Sequence, residues 1–219
     1  MIIIVDYGAG NLTSVKRAVS YLGYDSIITD DPEKIANADR IIFPGVGAAG
    51  AAMEIMQKKE IDNALKQSFK AKIPMLGICV GCQIIMERSE ENDTVCLGLI
   101  KGEAKSFPNN MKEVGNRILI NDENAVDHCL KVPHMGWNGL NIVQNHPLFN
   151  GIEQNDEFYF VHSYFPVPID KSHIYGETQY GITFASAIGK NNLFATQFHL
   201  EKSGEPGLLI LKNFCLWKP

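Results

Sequence analysis

Residues 77–91 read GICVGCQIIMERSEE, and the spacing G-x-C-x-G at Gly77, Cys79 and Gly81 governs how the rest of the chain is read. The apolar run Pro74–Ile78 predicts a buried strand, and Val80–Arg88 predicts a helix. Cys79 then stands at a strand-to-helix turn, with glycines that permit a tight bend and push a nucleophile outward. The helix start beneath the sulfur carries partial positive charge and favours thiolate over thiol. The Val80 N–H points into the same space and can hold an oxyanion. Cys82 falls one helical turn further on, where a small buried packing residue is expected. A thioredoxin-like C-x-x-C pair, which also sits at a strand–helix junction, is the rival reading.

Upstream, strands and helices alternate. Ile2–Val5 reads as a buried strand and DYGAGN (6–11) as a turn. Leu12, Val15, Val19 and Leu22 recur at helical spacing. Ser26–Thr29 and Arg40–Phe43 read as strands, and helices are expected from about Ala48 and about Ile61. This alternation predicts an α/β core with a parallel sheet and helices on both faces. After Leu97 short strand candidates dominate: Arg117–Ile120, Glu157–Ser163, Ser172–Thr178, Thr183–Ile188 and Leu193–Phe198. Gly, Asn or Pro separates most of them, which predicts antiparallel additions. Lys101–Asn141 is expected to be β-rich, and Glu205–Trp217 helical. No repeat or linker divides the chain, so residues 1–219 are expected to form one domain.

The 219 residues are 45% hydrophobic and carry a net charge of −5, as expected of a globular protein with a sizeable core. No Lys/Arg cluster makes a basic stripe, so no nucleic-acid partner is expected. The apolar runs are strand-length, so no membrane span is expected either. Met1 leads straight into a strand pattern without a basic leader, and no secretory signal is expected. The five cysteines, at 79, 82, 96, 129 and 215, are odd in number and loosely spaced. They point to reduced thiols and a cytoplasmic location. Cys129 and His134 lack companions at ligand spacing, so neither a metal nor another cofactor is expected.

A nucleophilic cysteine needs a base and a group to orient it. Of six histidines, His199 follows an apolar strand and has Glu201 two positions on. Side chains two apart on extended backbone share a face, and a carboxylate there can fix the imidazole tautomer. A solvated His-x-Glu at a strand end is the plain alternative. His162, within FYFVHSYF, is the next candidate base, although a lone histidine on an apolar strand is more often structural. PGVG (44–47) closes another parallel strand at the same edge of the sheet, where ligands bind in open α/β folds.

The ordered trio PGVG, GICVGCQ and QFHLE resembles class I glutamine amidotransferases. With DYGAGN, VPHMGWN (132–138), FVHSYF and FHLEKS, the likeness extends over nearly the whole chain. It is strongest to the glutaminase subunits that serve imidazole glycerol phosphate synthesis in histidine biosynthesis. The resemblance implies a flavodoxin-like three-layer sandwich with a mainly parallel central sheet and extra antiparallel strands in the second half. It implies that Cys79, His199 and Glu201 form a triad that hydrolyses L-glutamine to glutamate and ammonia. It places an oxyanion at Gly45, Val46 and Val80, and the glutamine against Gly47, Gln83, Glu91, Ser163 and Tyr164.

The resemblance also implies a partner, a (β/α)8-barrel cyclase that forms a heterodimer with the glutaminase and receives the ammonia. A protected route makes physical sense, because ammonia released into neutral water is mostly protonated and no longer nucleophilic. Pro133, Met135, Trp137 and Asn138, with Lys202, form the expected docking segment, since exposed aromatics and methionine suit interface cores. A buried hydrophobic turn is the alternative for VPHMGWN. The sequence departs from the family's usual Leu, Met and Pro at Val80, Cys82 and Leu200. Leu200 removes a φ restraint between His199 and Glu201. Such departures occur in related amidotransferases that aminate surface-glycan sugars, which is the second expected role. A C-x-x-C thiol-redox regulator and a cysteine hydrolase acting on another substrate are the readings from other classes.

Overall fold

The computed structural model describes residues 1–8, 10–108 and 130–219. The first half runs β1 (Ile2–Val5), α1 (Leu12–Tyr21), β2 (Ser26–Thr29), α2 (Pro32–Ala36), β3 (Arg40–Gly45), α3 (Ala49–Lys58), α4 (Ile61–Lys70), β4 (Met75–Cys79) and α5 (Val80–Ile84). The second half adds β5 (Arg88–Ser89), β6 (Thr94–Val95), β7 (Gly102–Ser106), β8 (His134–Gly139), β9 (Asn141–Ile142), β10 (Glu157–His162), β11 (Tyr164–Pro168), β12 (Ile174–Tyr180), β13 (Ile182–Lys190), β14 (Leu193–Thr196) and α6 (Gly204–Leu216).

Among the described residues the main sheet has eight strands, in the order β2-β1-β3-β4-β14-β13-β12-β9. The first five are mutually parallel and the last three are antiparallel additions. Every residue of β1, β4 and β14 is buried, on both faces of the pleat. Such strands need cover on both sides. Helix α1 packs with α6, while α2 and α3 pack with α4, giving two groups of cover. Helix α1 presents Val15, Ala18 and Val19 to the core, and α4 presents Ile61, Ala64 and Leu65, as their helical spacing requires. Arg40 Nη1 donates to the carbonyls of Phe214 and Trp217, holding the end of α6 against the start of β3.

Two smaller sheets lie beside this one. Strands β10 and β8 form an antiparallel ribbon, and β11, β7, β5 and β6 form a four-stranded sheet in that order. The parallel core and the antiparallel second half therefore follow the sequence reading, with three corrections. The expected helix over Val80–Arg88 stops at Ile84, because Arg88 and Ser89 pair with β7 and β6 instead. VPHMGWN is not a buried turn: it supplies strand β8, with Met135 and Trp137 exposed. Short α2, capped by the Asp31 side chain with Pro32 at its first turn, was not anticipated. The expected strand Arg117–Ile120 lies outside the described residues. None of the helices among the described residues is long and apolar enough to cross a membrane.

Candidate active site

Three parallel strands end at the same edge. Gly45 of β3 is in register with Cys79 of β4, and Ile78 with Thr196 of β14. Register alone thus brings PGVG, the Cys79 turn and the segment leading to His199 together. Cys79 has φ 56° and ψ −108°, a left-handed backbone at the last residue of β4. The glycines are there for steric reasons. A Cβ on Gly77 would stand 2.8 Å from the Gly81 carbonyl oxygen, and one on Gly45 would stand 2.2 Å from the Tyr7 hydroxyl.

His199 is held on three sides. Its N–H donates to the Tyr159 carbonyl at 2.9 Å, and its own carbonyl accepts from the Ser203 hydroxyl at 2.5 Å. Its Nδ1 lies 2.8 Å from Glu201 Oε1. The expectation of two side chains sharing the face of an extended strand needs correction. Strand β14 ends at Thr196, and Leu200–Lys202 form a 3-10 turn that swings Glu201 back under the ring. Leu200 is wholly buried, so it anchors this turn in the core without the proline restraint. Glu201 Oε1 also accepts from the Asn11 side-chain amide, a contribution from DYGAGN that sequence reasoning missed.

The His199 and Glu201 side chains are only 2% and 1% exposed. Burial by itself lowers the His199 pKa, but its interactions with Cys79 and then with Glu201 lift it to about 9. Glu201 takes Nδ1, and Nε2, which makes no close hydrogen bond among the described residues, is the nitrogen left for Cys79. His199 and Cys79 line one cavity of about 250 Å³, together with Val46, Gly47, Val80, Gln83, Glu91, Pro133, Ser163 and Tyr164. His162 lines it too, but both its ring nitrogens are engaged, by the Tyr164 carbonyl at 2.8 Å and by His134 at 3.0 Å. It is a structural histidine, and His199 is the one with a nitrogen to offer.

The other expected residues come together here. Val80 opens α5, so its N–H is one of the unpaired donors of a helix start. Gly47 has φ +92°, a conformation that favours glycine, where PGVG turns toward α3. Glu91 Oε2 accepts from Ala49 N–H at 2.6 Å, fixing the carboxylate at the cavity wall. Gln83 Nε2 donates to the Tyr164 carbonyl at 2.9 Å and lies 3.3 Å from Gln197 Oε1. The Gln197 amide lies 3.9 Å from the Cys79 sulfur. Cys82 is fully buried, and desolvation followed by the neighbouring Cys79 charge raises its pKa well above the usual thiol range. Such a thiol is a poor partner in thiol–disulfide exchange. Pro133 borders the cavity mouth. Met135 and Trp137 project from β8, Asn138 is half-buried, and Lys202 is exposed beside Tyr159.

The family model for glutamine amidotransferase class-I matches residues 3–217. The chain belongs to the class I glutamine amidotransferases. It is 48% identical over 214 residues to "Imidazole glycerol phosphate synthase subunit HisH" of Maridesulfovibrio salexigens, covering 98% of this chain and 95% of that one. It is 44% identical over 220 residues to the protein of the same name from Neisseria meningitidis, covering 98% of each. Among solved structures, PurLQS from Thermotoga maritima superposes with a TM-score of 0.70 at 17% identity, over 98% of this chain and 97% of that one. A putative GMP synthase component from Thermoplasma acidophilum superposes with a TM-score of 0.67 at 17% identity, over 97% and 90%. These structural likenesses show the fold of this amidotransferase. Its enzymatic class follows from the family.

Proposed function

We propose that this amidotransferase is the glutaminase subunit of an imidazole glycerol phosphate synthase, acting in histidine biosynthesis through a Cys79–His199–Glu201 triad. The observation that carries the triad is the His199 ring. One nitrogen is bound to Glu201 at 2.8 Å, and the other is left for Cys79, which lines the same cavity as His199. The full-length relatives of 43–48% identity named HisH support the histidine pathway over a glycan pathway.

Glutamine enters with its side-chain amide at Cys79. Glu91 pairs with the α-ammonium, while Gln83, Gly47 and the Ser163–Tyr164 segment hold the remaining polar atoms. His199, protonated at neutral pH by its raised pKa, already holds a proton on Nε2 as the Cys79 sulfur attacks the amide carbon. The carbonyl π pair moves to oxygen, and the backbone of Gly45, Val46 and Val80 holds the charge. Collapse breaks the carbon–nitrogen bond. His199 gives this proton to the leaving nitrogen, so ammonia departs and a thioester remains. A water then gives its proton to His199 and attacks the thioester carbon, and expulsion of the Cys79 sulfur restores the starting pair with release of glutamate. Glu201 keeps the ring in one tautomer and stabilises the imidazolium throughout.

Ammonia then passes to a (β/α)8-barrel cyclase docked over Pro133, Met135, Trp137, Asn138 and Lys202. The test is glutamine hydrolysis by the chain mixed with its cyclase. Wild type should release ammonia and Cys79→Ala should not, while still folding. Ammonia release by Cys79→Ala would exclude the triad.

A further inference from the structure

Two buried histidines, one of them in the cavity wall, are not used by the mechanism. His134 of β8 and His162 of β10 are direct cross-strand partners, 2% and 5% exposed. His134 Nδ1 lies 3.0 Å from His162 Nε2, and His162 Nδ1 lies 2.8 Å from the Tyr164 carbonyl. At the other end, His134 Nε2 lies 3.3 Å from Asn138 Nδ2.

The proton positions on this chain follow from its two ends. The Tyr164 carbonyl can only accept, so His162 carries its proton on Nδ1 and presents a bare Nε2. His134 Nδ1 must then donate, which leaves His134 Nε2 bare. Asn138 is independently oriented to fill it. Its Oδ1 accepts from Gly139 N–H at 2.8 Å, and its Nδ2 donates to the Gln179 carbonyl at 3.0 Å, leaving a second amide hydrogen for His134. Protonating either ring would set donor against donor. Burial agrees with neutrality, lowering His134 to about 4 and His162 to about 3.

The relay ends where glutamine is expected. The Tyr164 carbonyl takes His162 on one lone pair and Gln83 Nε2 on the other, and Gln83 leads through Gln197 to the Cys79 sulfur. We infer that His134 and His162 are positioning residues: as a neutral pair they fix the Tyr164 carbonyl and, through Gln83, the shape of the glutamine pocket. Neither ring needs to touch the substrate. The pair sets affinity for glutamine more than the rate of the chemical steps. This inference rests on the glutaminase reading.

The test uses the full chain with its cyclase partner. Nitrogen NMR of labelled histidine should show both rings neutral with the proton on Nδ1 at neutral pH. His134→Leu should raise KM for glutamine by about tenfold, the order of one lost buried hydrogen bond, with kcat changed less than about twofold. His134→Asn, which keeps a donor at the Nδ1 position, should restore most of the affinity. A His134→Leu/His162→Leu double variant should cost no more than the worse single one, because one chain is broken once. An Nε2–H tautomer or an imidazolium on either ring would overturn the inference. So would a His134→Leu protein with unchanged KM, or one whose kcat and melting temperature fall while KM stays. Wild-type protein that hydrolyses no glutamine would overturn the glutaminase reading and this inference together. Turnover by wild type with an unresponsive His134→Leu overturns this inference alone.

Discussion

A Cβ placed on Gly81 would stand 2.1 Å from the carbonyl oxygen of Phe43, so helix α5 rests directly on the backbone of strand β3. Neither element can yield, since both flank the cavity and both are wholly buried there. Gly81→Ala should therefore destabilise the protein by about 1–3 kcal/mol, the range of core overpacking. It should also displace the Val80 N–H. Chemical denaturation measures the first effect and loss of glutamine turnover the second. A variant as stable as wild type would mean that α5 can lift off β3 freely.

Asn11 donates its side-chain amide to Glu201 from 190 positions away in the chain. A hydrogen bond to a charged group is worth about 1.5–3 kcal/mol, so Asn11→Ala should lower kcat by about tenfold or more. Asn11 also has φ 73°, which alanine tolerates poorly. Asn11→Gly removes the amide while suiting the backbone. If glycine and alanine reduce kcat alike, the amide matters; if glycine is fully active, only the backbone does.

These two residues show what the sequence made legible. The elbow at Cys79 could be read because each of its glycines answers a local steric demand, visible as spacing. The parallel half could be read because continuous buried strands alternate with amphipathic helices. Asn11 could not be read, because nothing in DYGAGN reports which distant carboxylate it meets. The His134–His162 pair was hidden for the same reason, since it exists only through the pairing of β8 with β10. Short α2 carried its signature, Asp31 then Pro32, but offers only Ile35 to the core, too little for periodicity to register.

His199 gives a pH prediction with a defined sign. Its folded pKa, about 9, lies above the ordinary 6.5. A raised value means that the protonated ring stabilises the fold fully below pH 6.5 and that this contribution is lost as pH rises through 9. The melting temperature should fall across that window. The interaction with Cys79 is the leading upward influence, so Cys79→Ala should lower the His199 pKa and flatten the slope. Proton NMR titration of the His199 ring measures the first, and calorimetry between pH 6.5 and 9 the second. An unchanged His199 titration in Cys79→Ala would show that sulfur and ring are not coupled.

The outer face of β8 provides the last prediction. Met135 is 62% exposed and Trp137 54%, and Trp137 stands edge-on to Tyr159 with ring centroids 6.0 Å apart. Lys202 Nζ lies 5.6 Å from the same Tyr159 ring, so this apolar patch, with Lys202 beside it, borders the Leu200–Lys202 turn. Large side chains left in water contribute little to the isolated fold and much to an interface that covers them. Trp137→Ala should therefore change the stability of the free chain by less than about 0.5 kcal/mol. Its affinity for the proposed barrel cyclase should fall by about 2 kcal/mol, roughly thirtyfold in Kd. Titration calorimetry of the two subunits separates these effects. Wild-type affinity in Trp137→Ala would place the docking face elsewhere, and a large loss of stability in the free chain would make the tryptophan a structural residue.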